Sequence, residues 1–291
     1  MRRAGQSGYI QVSLRSPARR AIQPRTSGRL TAQYLGETIF WSTRTLEVPM
    51  RLAIVAVLLA LLPTDSKSSN LDVDLALILA VDVSGSISLS EAALQREGYA
   101  AAIESEPVLQ AIASGATGRI AVSYVEWSDA SHQKIVIPWS IIERQGDASG
   151  IAASLRAGRP ASGLNTSMAT ALRFAGDYLA MAPWRAERNV IDISGDGVSN
   201  SGGDLEPVRQ ALLSRGIVIN GLPICAQPQS DEACATDLVG YYRDRVIGGP
   251  GSFIVTAEGQ VDFATAVRTK IALEVANLSP TAPLQYADLR Q

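Results

Sequence analysis

The sequence predicts an α/β fold: a mostly parallel sheet of about six strands with helices on both faces. Three observations predict it. The unbroken apolar run Leu75 to Val81 reads as a strand buried on both faces, as parallel-sheet strands are. From residue 74 onward, strand-like and helix-like segments alternate. The first strand then ends in Asp82-Val83-Ser84-Gly85-Ser86, one carboxylate and two hydroxyls at alternate positions. Open α/β sheets bind ligands at that end of their strands.

The elements follow in order. Residues 74–81 are the first strand. Residues 91–105, EAALQREGYAAAIES, read as a helix with Ser90 as the expected cap. Arg119 to Trp127 and Lys134 to Trp139 read as two strands of a hairpin, joined by a polar turn around Asp129 and Ser131. A short helix is expected at 147–157. Thr166 to Met181 sets Met168, Ala171, Leu172, Ala175 and Leu179 at helical spacing and stops before Pro183. Asn189 to Ser194 is a strand, and Asp204 to Ser214 a helix with Leu205, Val208 and Leu212 on one face. Gly216 to Ile224 is a strand, Ala235 to Val246 a helix, Phe253 to Ala257 a strand. Gln260 to Leu278 closes the series as a helix, with Phe263, Val267, Ile271 and Val275 on one face. Right-handed crossovers give the strand order 3-2-1-4-5-6, with one antiparallel strand at an edge. The first strand is then central, and its C-terminal end lies at the switch point.

Only part of the chain reads as folded domain. Residues 1–49 hold eight arginines and two acidic residues, with no sustained apolar period. Met50-Arg51 and the apolar stretch 52–63 have the pattern of a secretory signal peptide, assigned to 50–69. The stretch is too short for a comfortable membrane span. Met50 is therefore expected to be the true start and 1–49 a mis-read extension; the alternatives are a disordered basic arm or an uncleaved anchor. Residues 70–279 form one domain and 280–291 a flexible tail. This places the protein in the periplasm or outside the cell, without a membrane span once the signal is removed.

The net charge of −2 conceals an uneven distribution. Residues 1–51 carry nine arginines against two glutamates, so the remainder carries −9. An acidic body argues against nucleic acid as the partner. Cys225 and Cys234 are expected to form a disulfide across a short loop. Closing a loop of about ten residues stabilises by roughly 2–3 kcal/mol in the chain-entropy model. Their spacing is not that of a redox Cys-x-x-Cys pair, and with no nearby His they make a poor zinc site.

Three segments are expected to meet at the sheet edge: Asp82, Ser84 and Ser86; the loop Ser162 to Thr166; and Ser194-Gly195-Asp196-Gly197. At these residues the chain resembles a von Willebrand factor type A (vWA) domain, and more narrowly a branch of uncharacterised exported bacterial proteins with that fold. The resemblance covers residues 72–278 and implies a three-layer, Rossmann-like architecture. It also implies a metal-ion-dependent adhesion site (MIDAS). That site uses a DxSxS loop, a Thr from a second loop and an Asp from a third. The matching positions are Asp82, Ser84 and Ser86, then Thr166, which TSMATAL places six residues before Leu172, then Asp196. RIAVSYVEWS and VIGGPGSFIV resemble the narrower branch. Glu126-Trp127, where Phe is usual, and the extra Gly195 before Asp196 depart from the common pattern. Such a site holds Mg²⁺, or Mn²⁺ or Ca²⁺, on hard oxygens, and a carboxylate from a protein partner completes it. Gly197 stands behind the ligands as a second-sphere candidate; Asp192, inside a central strand, is expected to be a hydrogen-bonded structural residue, with the second sphere as its alternative role.

The expected function is a non-enzymatic, metal-dependent protein-binding module. A Ser-His-Asp hydrolase is disfavoured, because the one histidine, His132, falls in a polar hairpin turn, where it is expected to be solvated. A phosphatase is the alternative, since Gly195-Asp196-Gly197 resembles the late motif of haloacid-dehalogenase-type enzymes. That chemistry needs a second acid two residues after Asp82, where Ser84 stands. A third reading is a structural domain whose site stays empty. Asn200 and Asp204 are expected to cap the helix that follows them; Trp127 and Trp139 are expected to pack.

Overall fold

In the computed structural model, residues 72–225 and 237–277 are described. The segments read as a basic extension (1–49), a signal peptide (50–69) and a tail (280–291), and Cys234, lie outside them. β1 (Val73–Asp82) is buried along its whole length. Its side chains alternate between two cores. Leu75, Leu77, Leu79 and Val81 face one cluster, and Ala76, Ile78 and Ala80 face the other. This explains the unbroken apolar run: both faces of the strand are covered. Truncating Leu77 to Ala at such a site costs about 2–5 kcal/mol.

The first cluster is closed by α1 (Leu89–Ile103), α2 (Glu106–Ala113), α3 (Gln145–Ala157) and the last helix, α7 (Gly259–Val275). The second is closed by α4 (Met168–Ala180), α5 (Leu205–Ser214) and α6 (Val239–Tyr241), which continues as a π-helical turn, Tyr242–Val246. The remaining strands are β2 (Ile120–Trp127), β3 (Gln133–Ile142), β4 (Ala186–Gly195), β5 (Ile217–Cys225) and β6 (Ala257–Glu258). Their order is β3-β2-β1-β4-β5-β6, as the crossover rule predicts. β1 runs parallel to β2 and β4, and β3 is the antiparallel edge. Pro138 is tolerated there because an edge strand has one free side.

Several local expectations are corrected. Ser88, not Ser90, caps α1: its hydroxyl accepts from the Glu91 amide while Glu91 accepts from the Ser88 amide. α2 is absent from the expected elements, although Pro107 starts it and Val108, Leu109 and Ile112 face the core at helical spacing; it is only eight residues long. α4 begins at Met168, so Thr166 precedes it in the loop. The strand expected at 253–257 is reduced to Ala257–Glu258 and one bridge from Ile254 to Gly221. Asn220 Oδ1 accepts from the Phe253 amide at 3.0 Å, which takes that amide out of a regular ladder. Asp204 does cap α5, but Asn200 does not. His132 is half-buried rather than solvated, and its Nε2 is sealed from water. Trp127 is fully buried, and Trp139 stacks on Tyr178 at 5.4 Å.

Candidate functional site

The first loop begins where β1 runs out. Asp82 is the last residue of the strand, completely buried between β2 and β4. Its Oδ1 accepts from the Ser84 amide at 2.8 Å, which turns the chain sharply. Ser84 and Ser86 then bring their hydroxyls within 3.4 Å of each other. Gly85 is required, because a Cβ there would meet the Leu164 carbonyl oxygen at 2.9 Å. The second loop therefore lies directly on the first, and Gly163 N donates to Val83 O at 2.8 Å.

The third loop leaves β4, the strand beside β1. Ser86 Oγ donates to Asp196 Oδ1 at 2.8 Å, across 110 residues of sequence. Gly195 is the close approach that makes this possible: a Cβ would stand 2.9 Å from Asp82 Oδ2 and 3.0 Å from the Tyr242 hydroxyl. The residue that departs from the usual pattern thus has a steric reason to be glycine.

Thr166 is held by its backbone. Its amide donates to Asn200 Oδ1 at 3.0 Å, and its carbonyl accepts from the Asn200 amide at 2.9 Å and the Ser201 amide at 3.2 Å. Asn200 is thus a clamp on the second loop, not a helix cap. Asp82, Ser84, Ser86 and Asp196 form one connected set. Among the described residues no hydrogen bond ties the Thr166 side chain to that set, although the loop that carries it packs on Gly85.

The electrostatics are those of crowded carboxylates. Burial pushes Asp82 up to about 7, helped by the Asp196 charge and opposed by hydrogen bonds from Ser84. Burial also raises Asp196, against the hydroxyl of Ser86. Asp82 Oδ2 is buried with no hydrogen-bond partner. An orphaned carboxylate oxygen costs several kcal/mol unless a proton or cation meets it. Tyr242 closes the site from the π-helical turn; its hydroxyl reaches Gly195 O at 3.4 Å, and burial followed by the two carboxylates holds its pKa high. Sequence reasoning missed Tyr242, whose only signal was an apolar segment of helical type.

The two second-sphere candidates separate. Gly197 has open space where a Cβ would be. Asp192 turns away to the α7 side and pairs with Lys270 at 2.8 Å. The sequence also gave no warning that Glu126 and Arg96 form a buried ion pair, Nε to Oε1 at 2.6 Å. Glu126 Oε2 accepts from the Ala161 amide at 3.4 Å, so this pair ties β2, α1 and the start of the second loop together. Among the described residues no three His, Cys, Asp or Glu side chains cluster as metal ligands; the candidate set has two carboxylates, and hydroxyls supply the rest. No helix there is long and apolar enough to cross a membrane.

Comparison with solved structures finds the same fold at low identity. The pilus adhesin SpaC from Lactobacillus rhamnosus GG matches at 14% identity and a TM-score of 0.51, over 71% of this chain and 31% of that one. Proximal thread matrix protein 1 from the mussel byssus matches at 17% identity and a TM-score of 0.50, over 70% of this chain and 48% of that one. The same mussel protein with a zinc-occupied MIDAS motif matches at 16% identity and 0.50, over 70% and 48%. The chain thus spans between 31% and 48% of the length of these proteins. Identities this low show the fold alone, and that fold is vWA-like. No curated protein matches the sequence. The family model described as Protein of unknown function (DUF1194) matches residues 72–279, a range that contains every described residue. The chain belongs to that family, and it carries its sequence on a vWA-like α/β fold.

Proposed function

We propose that this protein is an exported, metal-dependent protein-binding module of the adhesion or scaffold kind. Asp82, Ser84, Ser86, Thr166 and Asp196 hold one divalent cation in a MIDAS-like site, and a partner carboxylate from an exposed Asp or Glu completes it. One observation carries this reading: Ser86 bonds Asp196 at 2.8 Å while the buried Oδ2 of Asp82, alongside Gly195, lacks a partner. The donor set fits the group. Two carboxylates offset the charge of a hard cation, and neutral hydroxyls add oxygen without further repulsion. Mg²⁺ is the metal this set suits best, with Mn²⁺ and Ca²⁺ as the other oxygen-seeking ions. The zinc-occupied MIDAS of the mussel matrix protein supports the analogy.

The reading is non-enzymatic: Ser84 stands where a phosphatase would need its general acid. The binding domain spans 70–279, after a signal peptide at 50–69 and the basic segment 1–49, and before the tail 280–291. Cys225 and Cys234 form its disulfide. The test is calorimetric titration of Mg²⁺ and Mn²⁺ into the wild-type chain and into Asp82→Ala and Thr166→Ala. Saturable binding lost in both variants is expected. Absence of binding at millimolar metal in the wild type would overturn the metal-dependent reading.

A further inference from the structure

Lys270 of α7 is a lysine with no exposed surface. Its Nζ lies 2.8 Å from Asp192 Oδ1, in the middle of β4, and 2.5 Å from Glu274 Oε1, one turn along its own helix. All three side chains are at most 1% exposed. The Phe253 ring covers the amine at 4.9 Å. Asn220 Nδ2 donates to the same Glu274 oxygen at 3.1 Å and so fixes that carboxyl in place. Both Asp192 oxygens and Glu274 Oε2 are sealed from water and accept no well-aligned hydrogen bond, so Lys270 meets Asp192 as an ion pair.

We propose that Lys270 and Asp192 condense into an intramolecular amide cross-link, with Glu274 as the proton acceptor. Fully ionised, the trio would place three charges, net −1, in an apolar core, where each is costly. Burial and the neighbouring Glu274 charge raise Asp192 above the usual carboxylate range, against the pull of Lys270, which favours its neutral acid form. A neutral carboxyl carbon accepts a nucleophile; a carboxylate repels one. Burial lowers the Lys270 pKa, but the two carboxyls outweigh it and raise it, so the amine needs an internal base to lose its proton. Glu274 is in contact with it.

The step balances without any further reactant. The Lys270 ammonium gives one proton to the Glu274 carboxylate. The freed Nζ attacks Cγ of the protonated Asp192, a C–N bond forms, and one Cγ–O bond breaks. The departing oxygen leaves as water, carrying the Asp192 hydroxyl proton and one amine proton. The core keeps a neutral amide and a protonated Glu274, so every charge of the trio is removed. Holding Nζ 2.8 Å from the Asp192 carboxyl supplies the proximity that free molecules lack.

The test is a proteolytic digest of the folded full chain, denatured and reduced, read by tandem mass spectrometry. The expected result is one branched species joining the segments that carry Asp192 and Lys270, lighter than their sum by one water and uncut after Lys270. Asp192→Asn should give the same branched species with ammonia lost instead of water. Glu274→Gln should slow cross-linking roughly a hundredfold, the scale of a lost general acid–base group. Recovery of the two segments separately, at full mass, from aged wild-type protein would overturn the proposal and leave a buried ion pair. The wild-type digest decides this whether or not the variants fold.

Discussion

At the scale of single residues, Asp82 governs how the candidate site responds to its surroundings. Its carboxyl titrates near 7 because burial disfavours the charged form, with Asp196 adding repulsion. A cation must displace the proton it holds. Apparent Mg²⁺ affinity is therefore expected to rise with pH from about 6 to 8 and level off above, up to tenfold per pH unit at the acid end. A pH series of titrations checks this; an affinity flat across that window would show that Asp82 is not a ligand. Gly195 is the second sensitive position. Gly195→Ala would press a methyl group against Asp82 Oδ2 at 2.9 Å and the Tyr242 hydroxyl at 3.0 Å. It should cost about 1–3 kcal/mol in urea unfolding, the usual scale of overpacking, and weaken metal binding as well. Gly197→Ala, with open space around it, should do neither.

At the scale of elements, the buried Arg96–Glu126 pair is the joint between β2, α1 and the second loop. Arg96→Ala leaves Glu126 buried and unpaired, which should destabilise by about 3–5 kcal/mol. The double variant Arg96→Met, Glu126→Leu should recover most of that loss, and equilibrium denaturation of the three proteins measures it. The same joint shows how far the sequence could be read. Strand order, the first strand and the three loops were legible, because burial on two faces leaves an unbroken apolar run and a parallel crossover has one hand. That Asp82, Ser84, Ser86 and Asp196 meet was legible for the same reason: they sit at or just past the ends of neighbouring strands. The pairings across the fold were not. Nothing local to Arg96 names Glu126 as its partner, nothing local to Asn200 names Thr166, and Lys270 reads as the polar side of a helix until β4 is laid beside it. Helix α2 carries its pattern, Val108, Leu109 and Ile112 behind Pro107, in only eight residues directly after α1, so it reads as the tail of the helix before it. The last strand was overestimated because the Asn220 side chain competes for a backbone amide.

At the scale of the whole molecule, the buried acid sets a stability profile. In EDTA the folded chain holds the Asp82 proton up to about pH 7, whereas the unfolded chain releases it near 3.8. The favourable contribution is complete below the lower value and is lost as pH rises through the upper one; it amounts to at most ~4 kcal/mol. Metal binding to the native state opposes that loss, by about 2.7 kcal/mol at a hundredfold excess over Kd. Thermal melts in EDTA and in Mg²⁺ should therefore diverge as pH rises from 5 to 8, and parallel curves would argue against a cation at Asp82. The bond from Ser86 to Asp196, closed over 110 residues, has one further consequence. During synthesis the DxSxS loop emerges long before β4, and it stays an ordinary polar turn until β4 docks at its side. No shorter fragment contains the assembled set. Cation uptake would then be a late event in the life of the chain, and would report that the fold has been completed.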